Sequence, residues 1–398
     1  MTIVVVGIPA DGWAGLPPAA RTELTRCDVL LGGRRQLDLV PGTGAEQVPW
    51  PSPLLPALDG LLREYAGRRV GVLASGDPLL SGIGGTLVRR LGAEAVRVVP
   101  SVSSVALARA RMGWPADGAE TAEVVRITGT DVSPVLRAAG DGGRVLVLSA
   151  DGDTPGAVAD LLARHGFGDS RLTVLENLGA AEERRLDGLA RDWAHQPVAP
   201  LNVLAVAVAG PEAPSLTPGL PDDAFAHDGQ LTKSLVRATA LAALAPRPGE
   251  LLWDVGSGSG SVAVEWARLH PANRAVAVEA RADRAERIRH NAERHGAAVR
   301  VTHGSAPAVL GELPRPDAVF VGGGVSEPGL LPACHDVLGP GGRIVAHGVT
   351  IEAERALAEA HAAYGGELTR LSVQRAAPLG TFTSWEPARP VTQWSVRI

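Results

Sequence analysis

Leu251-Leu-Trp-Asp-Val-Gly-Ser-Gly-Ser-Gly-Ser261 is the stretch that decides the fold of the C-terminal half of this chain. An apolar run, a glycine loop and an amphipathic run predict a buried strand, a tight turn and a helix. The glycines at 256, 258 and 260 let the backbone approach a ligand, because no Cβ intervenes. Glu279 ends the next apolar run, where a carboxylate can accept two hydrogen bonds from ribose hydroxyls. The spacing Gly-x-Gly-x-Gly differs from the dinucleotide fingerprint, so the alternatives are another kind of nucleotide-like site or a tight turn alone.

The pattern downstream of residue 222 predicts an α/β domain with a regular alternation of strands and helices. Strands are predicted over 251–255, 275–279, 299–302, 318–321 and 343–347, followed by an antiparallel pair over 368–375 and 393–397. Helices are predicted over 232–243, 262–269 and 284–295, with Gly296 as the C-terminal cap of the last. Five parallel strands and a reversed pair resemble the Rossmann-like layout of class I methyltransferases.

The first 209 residues also alternate strands with helices. Strands are predicted over 3–6, 29–31, 69–73, 96–99, 124–127, 144–148, 172–176 and 203–208, and helices over 54–65, 84–90, 102–111 and 155–165. Continuous apolar strands between helices favour largely parallel sheets that are covered on both faces. A break over 113–118 predicts two lobes, at about 1–113 and 118–209. Four prolines in residues 210–221 predict the linker to a second domain over 222–398.

Composition limits the partners. The net charge of −5 shows no basic surplus, so we expect no nucleic acid. We expect no signal peptide and no membrane span, because no basic region precedes the first apolar run and no stretch reaches the ~18–20 apolar residues of a span. Cys27 and Cys334 match no disulfide or zinc pattern, which favours the cytoplasm. The histidines show no metal-ligand spacing, so no metal is expected; these include His165, His195, His290 and His335.

A series of motifs around the glycine loop carries a family resemblance. His227-Asp-Gly-Gln-Leu-Thr-Lys233 precedes the loop, and Val278-Glu-Ala-Arg281, Gly304-Ser-Ala-Pro307 and Pro316–Gly324 follow it. In this order they resemble the C-terminal half of the decarboxylating precorrin-6Y C5,15-methyltransferases of cobalamin biosynthesis. The resemblance implies S-adenosylmethionine (AdoMet) as cofactor, and its contacts would be Thr232, Gly256, Ser257, Gly258, Ser259, Gly260, Glu279 and Ala306. The family often has Asp at the position of Ser305, so only a backbone contact is expected there.

The segment 228–233 has two interpretations. It is either a lid over AdoMet and substrate, or Thr232 is simply the N-cap of the helix that follows. Lys233 is the only lysine among 38 basic residues. Its retention in an arginine-rich chain reflects either a need for a compact ammonium group or chance.

A second loop lies far upstream. Ser75-Gly-Asp-Pro78 follows an apolar run, and alone it indicates no more than a type I or II turn. With Val99–Val105 and the initial strand-to-loop segment Val5–Gly12, it resembles class III (tetrapyrrole) methyltransferases, in which AdoMet lies between two lobes. The resemblance implies AdoMet contacts from Ser75, Gly76, Asp77, Leu80, Ser103 and Ser104. It places the loop near Asp11 toward the substrate.

The two resemblances together imply one AdoMet in each domain and a precorrin substrate. The N-terminal domain would methylate C5, and the C-terminal domain would methylate C15 and remove CO2 from the ring C acetate. Alignment of carbon, methyl and sulfur would supply most of the catalysis. The catalytic residue for decarboxylation is unknown; His227 and Lys233 are candidates, and a structural role is the alternative for both.

Other predictions follow from composition and from the rival functions. Arginines of the substrate sites would bind carboxylates, but the run from Arg281 to Arg300 is expected to be mainly a solvated face, with Ala285, Ile288 and Ala292 buried. We expect a homo-oligomer. The rival functions are methylation of another small molecule or of RNA, and a chain in which one half has lost its chemistry and only binds AdoMet or scaffolds the other half.

Overall fold

The computed structural model describes residues 3–140, 142–194, 197–212 and 215–398. Contacts between Cα atoms separate two compact units, Met1–Pro211 and Glu212–Ile398, and the division falls inside the proline-rich segment 210–221. His195 lies outside the described residues. Within the described ranges, no helix combines the length and the hydropathy needed to cross a bilayer.

The first lobe is a five-stranded sheet. Its strands over residues 3–99 are β1 (Ile3–Ile8), β2 (Val29–Gly32), β3 (Glu46–Pro49), β4 (Val70–Ser75) and β5 (Val96–Val99). The order is β3-β2-β4-β1-β5, and every pairing is parallel, as predicted. The helices that follow these strands are α1 (Pro18–Thr25), α2 (Arg34–Asp38), α3 (Leu54–Glu64), α4 (Ile83–Leu91) and α5 (Ser104–Met112).

The second lobe is a mixed sheet. Its strands are β6 (Glu123–Arg126), β7 (Arg144–Leu148), β8 (Arg171–Glu176), β9 (Arg184–Leu189) and β10 (Asn202–Ala207), with helices α6 (Pro134–Ala138) and α7 (Thr154–Arg164). The order is β6-β7-β10-β8-β9, and only β6 and β7 run parallel. The prediction of a largely parallel sheet is therefore wrong for this lobe. A continuous apolar strand reports burial on both faces, which antiparallel central strands also have.

The sequence analysis missed two edge strands. β3 reads Glu-Gln-Val-Pro and β9 reads Arg-Arg-Leu-Asp-Gly-Leu, and neither strand contains a buried residue. An edge strand has one neighbour and much solvent contact, so it does not need the apolar run by which the buried strands are recognised.

The second unit is a seven-stranded sheet with helices on its faces. Its principal strands are β11 (Leu251–Val255), β12 (Arg274–Glu279), β13 (Val299–His303), β14 (Ala318–Val321), β15 (Arg343–Gly348) and β16 (Glu367–Leu371). Its helices are α8 (Ser234–Leu244), α9 (Ser261–Arg268), α10 (Ala282–Arg294), α11 (Leu330–Asp336) and α12 (Ile351–Tyr364). Gly296 has φ +56°, as expected for the residue that ends α10.

The C-terminal end of the sheet departs in detail from the prediction. The predicted strand 368–375 is divided between β16 and β17 (Gln374–Leu379), which forms a separate hairpin with β18 (Phe382–Pro387). The last strand, β19 (Val391–Arg397), lies antiparallel between β15 and β16. The sheet order β13-β12-β11-β14-β15-β19-β16 therefore has the predicted parallel core and reversed pair.

The end of the proline-rich segment is built into the second unit through Arg237 and Glu265. Arg237 is fully buried and its Nε lies 2.5 Å from Oε1 of Glu265. Its two Nη atoms donate to the carbonyls of Thr232 and Leu220. Glu265 also accepts the backbone N–H groups of Gly219 and Leu220, at 2.6 and 3.1 Å. This buried ion pair joins the end of the segment to the residues that precede α8.

Candidate active sites in the two units

The first unit contains a cavity of about 470 Å³, within the range of about 300–1,000 Å³ that is usual for small-molecule sites. It lies at the carboxyl ends of β1 and β4, where open α/β sheets bind ligands. The six residues predicted to contact AdoMet all line it: Ser75, Gly76, Asp77, Leu80, Ser103 and Ser104. Asp11 does not line it, although the neighbouring Pro9 and Ala10 do.

The loop after β4 has a defined geometry. Gly76 has φ +53°, its N–H donates to Ile8 O at 3.0 Å, and its carbonyl accepts from Ser101 N at 3.1 Å. A Cβ on Gly76 would lie 2.9 Å from the carbonyl oxygen of Val102. Asp77 Oδ1 accepts from the N–H of Leu79 at 2.9 Å, as in an Asx turn. The glycine is therefore required for the close approach of the loop to the segment that precedes α5.

Two of the predicted hydroxyl groups already have partners. Ser103 caps α5, since its Oγ accepts from Ala106 N at 3.1 Å. Ser75 Oγ lies 2.7 Å from Nε2 of Gln36. Capping at Ser103 and a contact at the cavity coexist, because the start of a helix also presents free N–H groups.

The sequence analysis missed much of the wall of this cavity. The residues that it did not single out include Arg35, Gln36, Trp50, Arg126, Ser149 and Asn202. Three of these six lie at the carboxyl end of a strand: Trp50 comes after β3, Arg126 ends β6 and Ser149 follows β7. Position at a strand end was the signal that could have found them.

The second unit contains a cavity of about 460 Å³ at the glycine loop after β11. Thr232, Gly256, Ser257 and Gly258 line it, as predicted. Gly256 has φ +66°, and a Cβ there would lie 2.6 Å from the carbonyl oxygen of Gly323. The glycine loop therefore lies directly against the end of the neighbouring strand β14.

The other predicted contacts of this half do not line the cavity. These are Ser259, Gly260, Glu279 and Ala306. Glu279 is buried, and its carboxylate accepts from Gly258 N at 2.9 Å and from Arg281 N at 3.0 Å. In this structure Glu279 supports the glycine loop through Gly258.

Asp254 is the penultimate residue of the buried strand that leads into the loop. Its Oδ2 accepts from Ser257 Oγ at 2.6 Å and from Ala263 N at 3.1 Å, whereas the buried Oδ1 has no partner. Burial raises the pKa of this carboxyl group to about 6, and the charge of Glu279 contributes in the same direction. A buried acceptor without a donor, beside a loop with three glycines, fits a ligand that donates hydrogen bonds, such as the ammonium or ribose end of AdoMet.

The segment 228–233 lies against the glycine loop. Gly229 to Lys233 line the cavity, and a Cβ on Gly258 would lie 3.4 Å from Gln230 O. Asp228 pairs with Arg284 at 2.9 Å and Arg287 at 3.2 Å, and these guanidinium groups hold its pKa well below the usual range.

Thr232 is not the helix cap. α8 begins at Ser234, and its N-cap residue is Lys233, which makes no side-chain capping hydrogen bond. The capping interpretation of Thr232 is therefore wrong. The helix is instead held by Asp222 Oδ1, which accepts from Ser234 N at 2.9 Å.

The structure separates the two candidates for the decarboxylation step. Lys233 lines the cavity and its Nζ lies 3.4 Å from Asp222 Oδ2. His227 is exposed, does not line the cavity, and its Nδ1 accepts from Gly229 N at 3.0 Å. Only Lys233 is placed to meet a molecule in the cavity.

The charged lining of this cavity was largely missed. Within residues 215–398, its charged side chains are four cations: Lys233, Arg284, Arg375 and Arg389. Arg375 lies in β17 and Arg389 follows β18, and the hairpin that these strands form was not predicted. The run from Arg281 to Arg300 is mostly solvated, and Ala285, Ile288 and Ala292 are buried as predicted, but Arg284 faces the cavity.

Family comparisons agree with this division. A model of tetrapyrrole (corrin/porphyrin) methylases matches residues 2–194, and a precorrin methyltransferase domain model matches residues 223–398. The precorrin-6Y C(5,15)-methyltransferase [decarboxylating] of Mycobacterium tuberculosis H37Rv is 50% identical over 398 residues, covering 99% of each chain. The enzyme of the same name from Sinorhizobium sp is 44% identical over 399 residues, covering 99% of this chain and 95% of that one.

The chain belongs to the precorrin-6Y C(5,15)-methyltransferase family. A solved C-terminal domain of such an enzyme from Rhodobacter capsulatus is 50% identical and covers 46% of this chain and 100% of its own, with a TM-score of 0.44. Membership of this methyltransferase family implies AdoMet as the methyl donor. The fold is accordingly a tetrapyrrole methylase domain followed by a Rossmann-like precorrin methyltransferase domain.

Proposed function

We propose that this chain methylates a precorrin at C5 and C15 and removes the carboxyl group of the ring C acetate in cobalamin biosynthesis. The observation that carries the proposal is the presence of a cavity at a glycine loop in each unit of a chain that is related to such enzymes along its full length. The N-terminal domain would act at C5. The C-terminal domain would act at C15 and on the acetate.

We propose one AdoMet in each domain. When bound, AdoMet supplies an electrophilic methyl group on a sulfonium. In the first unit, the loop at Gly76 and the start of α5 would hold it, and the clustering of all six predicted residues around one cavity supports this. In the second unit, Gly256 to Gly260 and Thr232 would hold it, with Glu279 at the ribose and the backbone at Ala306 at the adenine.

The residues of the second cavity suit a polycarboxylate. Its four cations would bind the acetate and propionate groups of a precorrin and fix the orientation of the macrocycle. Arg284 forms an ion pair with Asp228, and Lys233 forms one with Asp222. No carboxylate partner of Arg375 or Arg389 is found among the described residues. Leu235 and Val349 add apolar surface to the same lining. These groups orient the substrate and exclude water, which is the main contribution expected of the protein.

Product mass tests the proposal. The full chain, incubated with the reduced tetrapyrrole and AdoMet, should give a product that has gained two methyl groups and lost CO2. Titration of the full chain with AdoMet by calorimetry should give a stoichiometry of two. An unchanged substrate would contradict the assignment of a precorrin as substrate and would favour another small molecule or RNA. A stoichiometry of one AdoMet per chain would favour a scaffold role for one half.

We also propose a cytoplasmic homo-oligomer. Cys27 and Cys334 are free and buried, and burial raises the pKa values of their thiols to about 11 and 12, which suits a reducing compartment.

The β17–β18 hairpin exposes Leu379, Phe382 and Trp385, and burial of such apolar groups against a second copy would stabilise an oligomer. Sedimentation of the full chain and of Trp385→Ser would test this, since the substitution should shift the equilibrium toward the monomer.

A further inference from the structure

His347 is a cavity residue that the proposed contacts do not use. It lies near the carboxyl end of β15, is buried, and lines the cavity of the second unit. In the sheet register it is paired with Gln393 of β19, and its ring packs edge-on against Phe320 of β14 at 5.0 Å. Strands on both sides therefore fix the position of the imidazole.

The hydrogen bond to Gln393 sets the tautomer. His347 Nε2 lies 2.9 Å from Oε1 of Gln393. An amide oxygen only accepts, so Nε2 carries the hydrogen and Nδ1 is left with its lone pair. No partner for Nδ1 is found among the described residues. The ring thus offers one free proton acceptor.

The surroundings keep the ring neutral. Burial lowers the pKa of His347 to about 4. The charged groups that line the same cavity are all cations: Lys233 before α8, Arg284 on α10, Arg375 in β17 and Arg389 after β18. The packed neighbours Phe320 and Gln393 add no titratable group. A bound polycarboxylate would offset these positive charges, so His347 is better able to accept a proton when substrate is present than in the free enzyme.

The chemistry of the C-terminal domain needs such a group, if the proposed function holds. Replacement of hydrogen by methyl at C15 releases one proton. Replacement of the acetate carboxyl group by hydrogen consumes one. The two steps together are neutral in protons, so one residue that accepts and then returns a proton serves both.

We propose that His347 is this proton carrier. An electron pair of the macrocycle forms the new C15–CH3 bond as the methyl–sulfur bond of AdoMet breaks, and the electron pair of that bond stays on sulfur. The C15–H bond then breaks, its proton goes to Nδ1, and its electron pair returns to the ring system. In the second step the bond between the acetate CH2 and its carboxylate breaks, and CO2 leaves. The electron pair enters the conjugated pyrrolenine and then takes the proton from Nδ1, which makes the ring C methyl group. Gln393 is the positioning residue, because its oxygen stabilises the imidazolium through Nε2–H.

The test uses the full chain with His347→Asn, which retains a polar group near Nδ1 but carries no proton. We expect methyl incorporation at C15 and CO2 release to fall together by about 10²–10⁴-fold. Methylation at C5 should be unchanged, which gives an internal control in the same protein. AdoMet affinity, measured by calorimetry, should stay within about twofold.

A second variant separates chemistry from structure. Gln393→Glu places a carboxylate at Nε2–H, which favours the imidazolium, so the acidic limb of the pH–rate profile for C15 should move to higher pH. If the wild type methylates C15 and His347→Asn does so at the same rate, the carrier role is overturned. Loss of only one of the two steps in the variant also overturns it. An unshifted profile in Gln393→Glu also overturns it. Failure of the wild type to act on a precorrin would instead reject the proposed function itself.

Discussion

At the residue scale, buried acids of the second unit hold the glycine loop in place, and buried acids and histidines determine how the stability of this unit depends on pH. Asp254 and Glu279 lie at the ends of adjacent strands β11 and β12, and both accept hydrogen bonds from the glycine loop or the helix after it. His295 is buried against Phe225 and its Nε2 contacts Ala224 O at 2.9 Å. Each of these three groups has a specific backbone partner.

Glu279→Ala should reduce the AdoMet stoichiometry of the full chain from two to one. The substitution removes the acceptor of Gly258 N–H, and with it the support of the loop and the proposed ribose contact. Calorimetry on the full chain is the measurement. Glu286→Ala, on the exposed face of α10, is the matched control and should keep both sites. Two remaining sites in Glu279→Ala would contradict the proposed role.

Acid should destabilise the second unit between pH 6.5 and 4. Burial lowers the pKa values of His295 and His347 from 6.5 to about 4, so the unfolded chain takes up these protons before the folded one does. Stability that is fully present above pH 6.5 is therefore lost as the pH falls toward 4, at up to about 1.4 kcal/mol per pH unit for each histidine. Urea unfolding of wild type and His295→Asn at several pH values measures this, and the variant should show the shallower dependence.

Asp254 should act in the opposite direction. Its folded pKa of about 6 lies above its ordinary 3.8, so the folded state binds a proton first and gains stability as the pH falls through this window. Asp254→Asn should therefore steepen the loss of stability in acid. A variant with the wild-type slope would show that Asp254 titrates normally.

At the scale of elements, two glycine loops that follow parallel strands carry the proposed cofactor sites. Gly76 and Gly256 both have positive φ values, and a Cβ on either would collide with backbone. Gly76→Ala should abolish AdoMet binding and methylation in the first unit alone, and Gly256→Ala in the second alone. Calorimetry and product mass together measure the two outcomes.

A glycine in a helix provides the control for both loops. Gly60 lies inside α3 with open space around its Cβ position, so Gly60→Ala should keep both activities and stabilise the chain by about 0.5–1 kcal/mol. Loss of both sites in either loop variant would indicate a general folding defect and would contradict the independent roles.

The elements also show what the sequence predicts and where it stops. The buried strands and both glycine loops were predictable, because apolar runs and glycine spacing are local signals. β3, β9 and the β17–β18 hairpin were not, since none of these strands contains a buried residue and none therefore needs an apolar run. The same limit applies to the sites: Arg375, Arg389 and His347 reach the cavity through the hairpin and the sheet register, and no local motif marks them.

At the scale of the whole molecule, the proline-rich segment 210–221 connects the two units in sequence, and its last residues are bonded to the second unit. Glu265 holds the N–H groups of Gly219 and Leu220, and Arg237 holds the carbonyl of Leu220. The precorrin methyltransferase domain model matches the second unit only from residue 223. The residues that the second unit needs for its buried contacts therefore begin upstream of the residues that the domain model matches.

A fragment over 223–398 should be less stable than one over 215–398. The shorter fragment loses the donors to a buried carboxylate, at about 1.5–3 kcal/mol for each hydrogen bond to a charged group. Its melting temperature should be lower by at least roughly 5 °C. Thermal unfolding of the two fragments measures this. Equal melting temperatures would show that Glu265 and Arg237 are satisfied without the segment.

The Arg237–Glu265 pair has a consequence for how such fused enzymes change their length. Insertions upstream of Ser215 leave every contact of the pair intact, whereas an insertion between Gly219 and Thr232 separates two carbonyls that one guanidinium must hold together. The proline-rich segment should therefore tolerate insertions near its start but not near its end. Natural variation in length, and any engineered spacer, should accumulate before Ser215 and stop at Gly219.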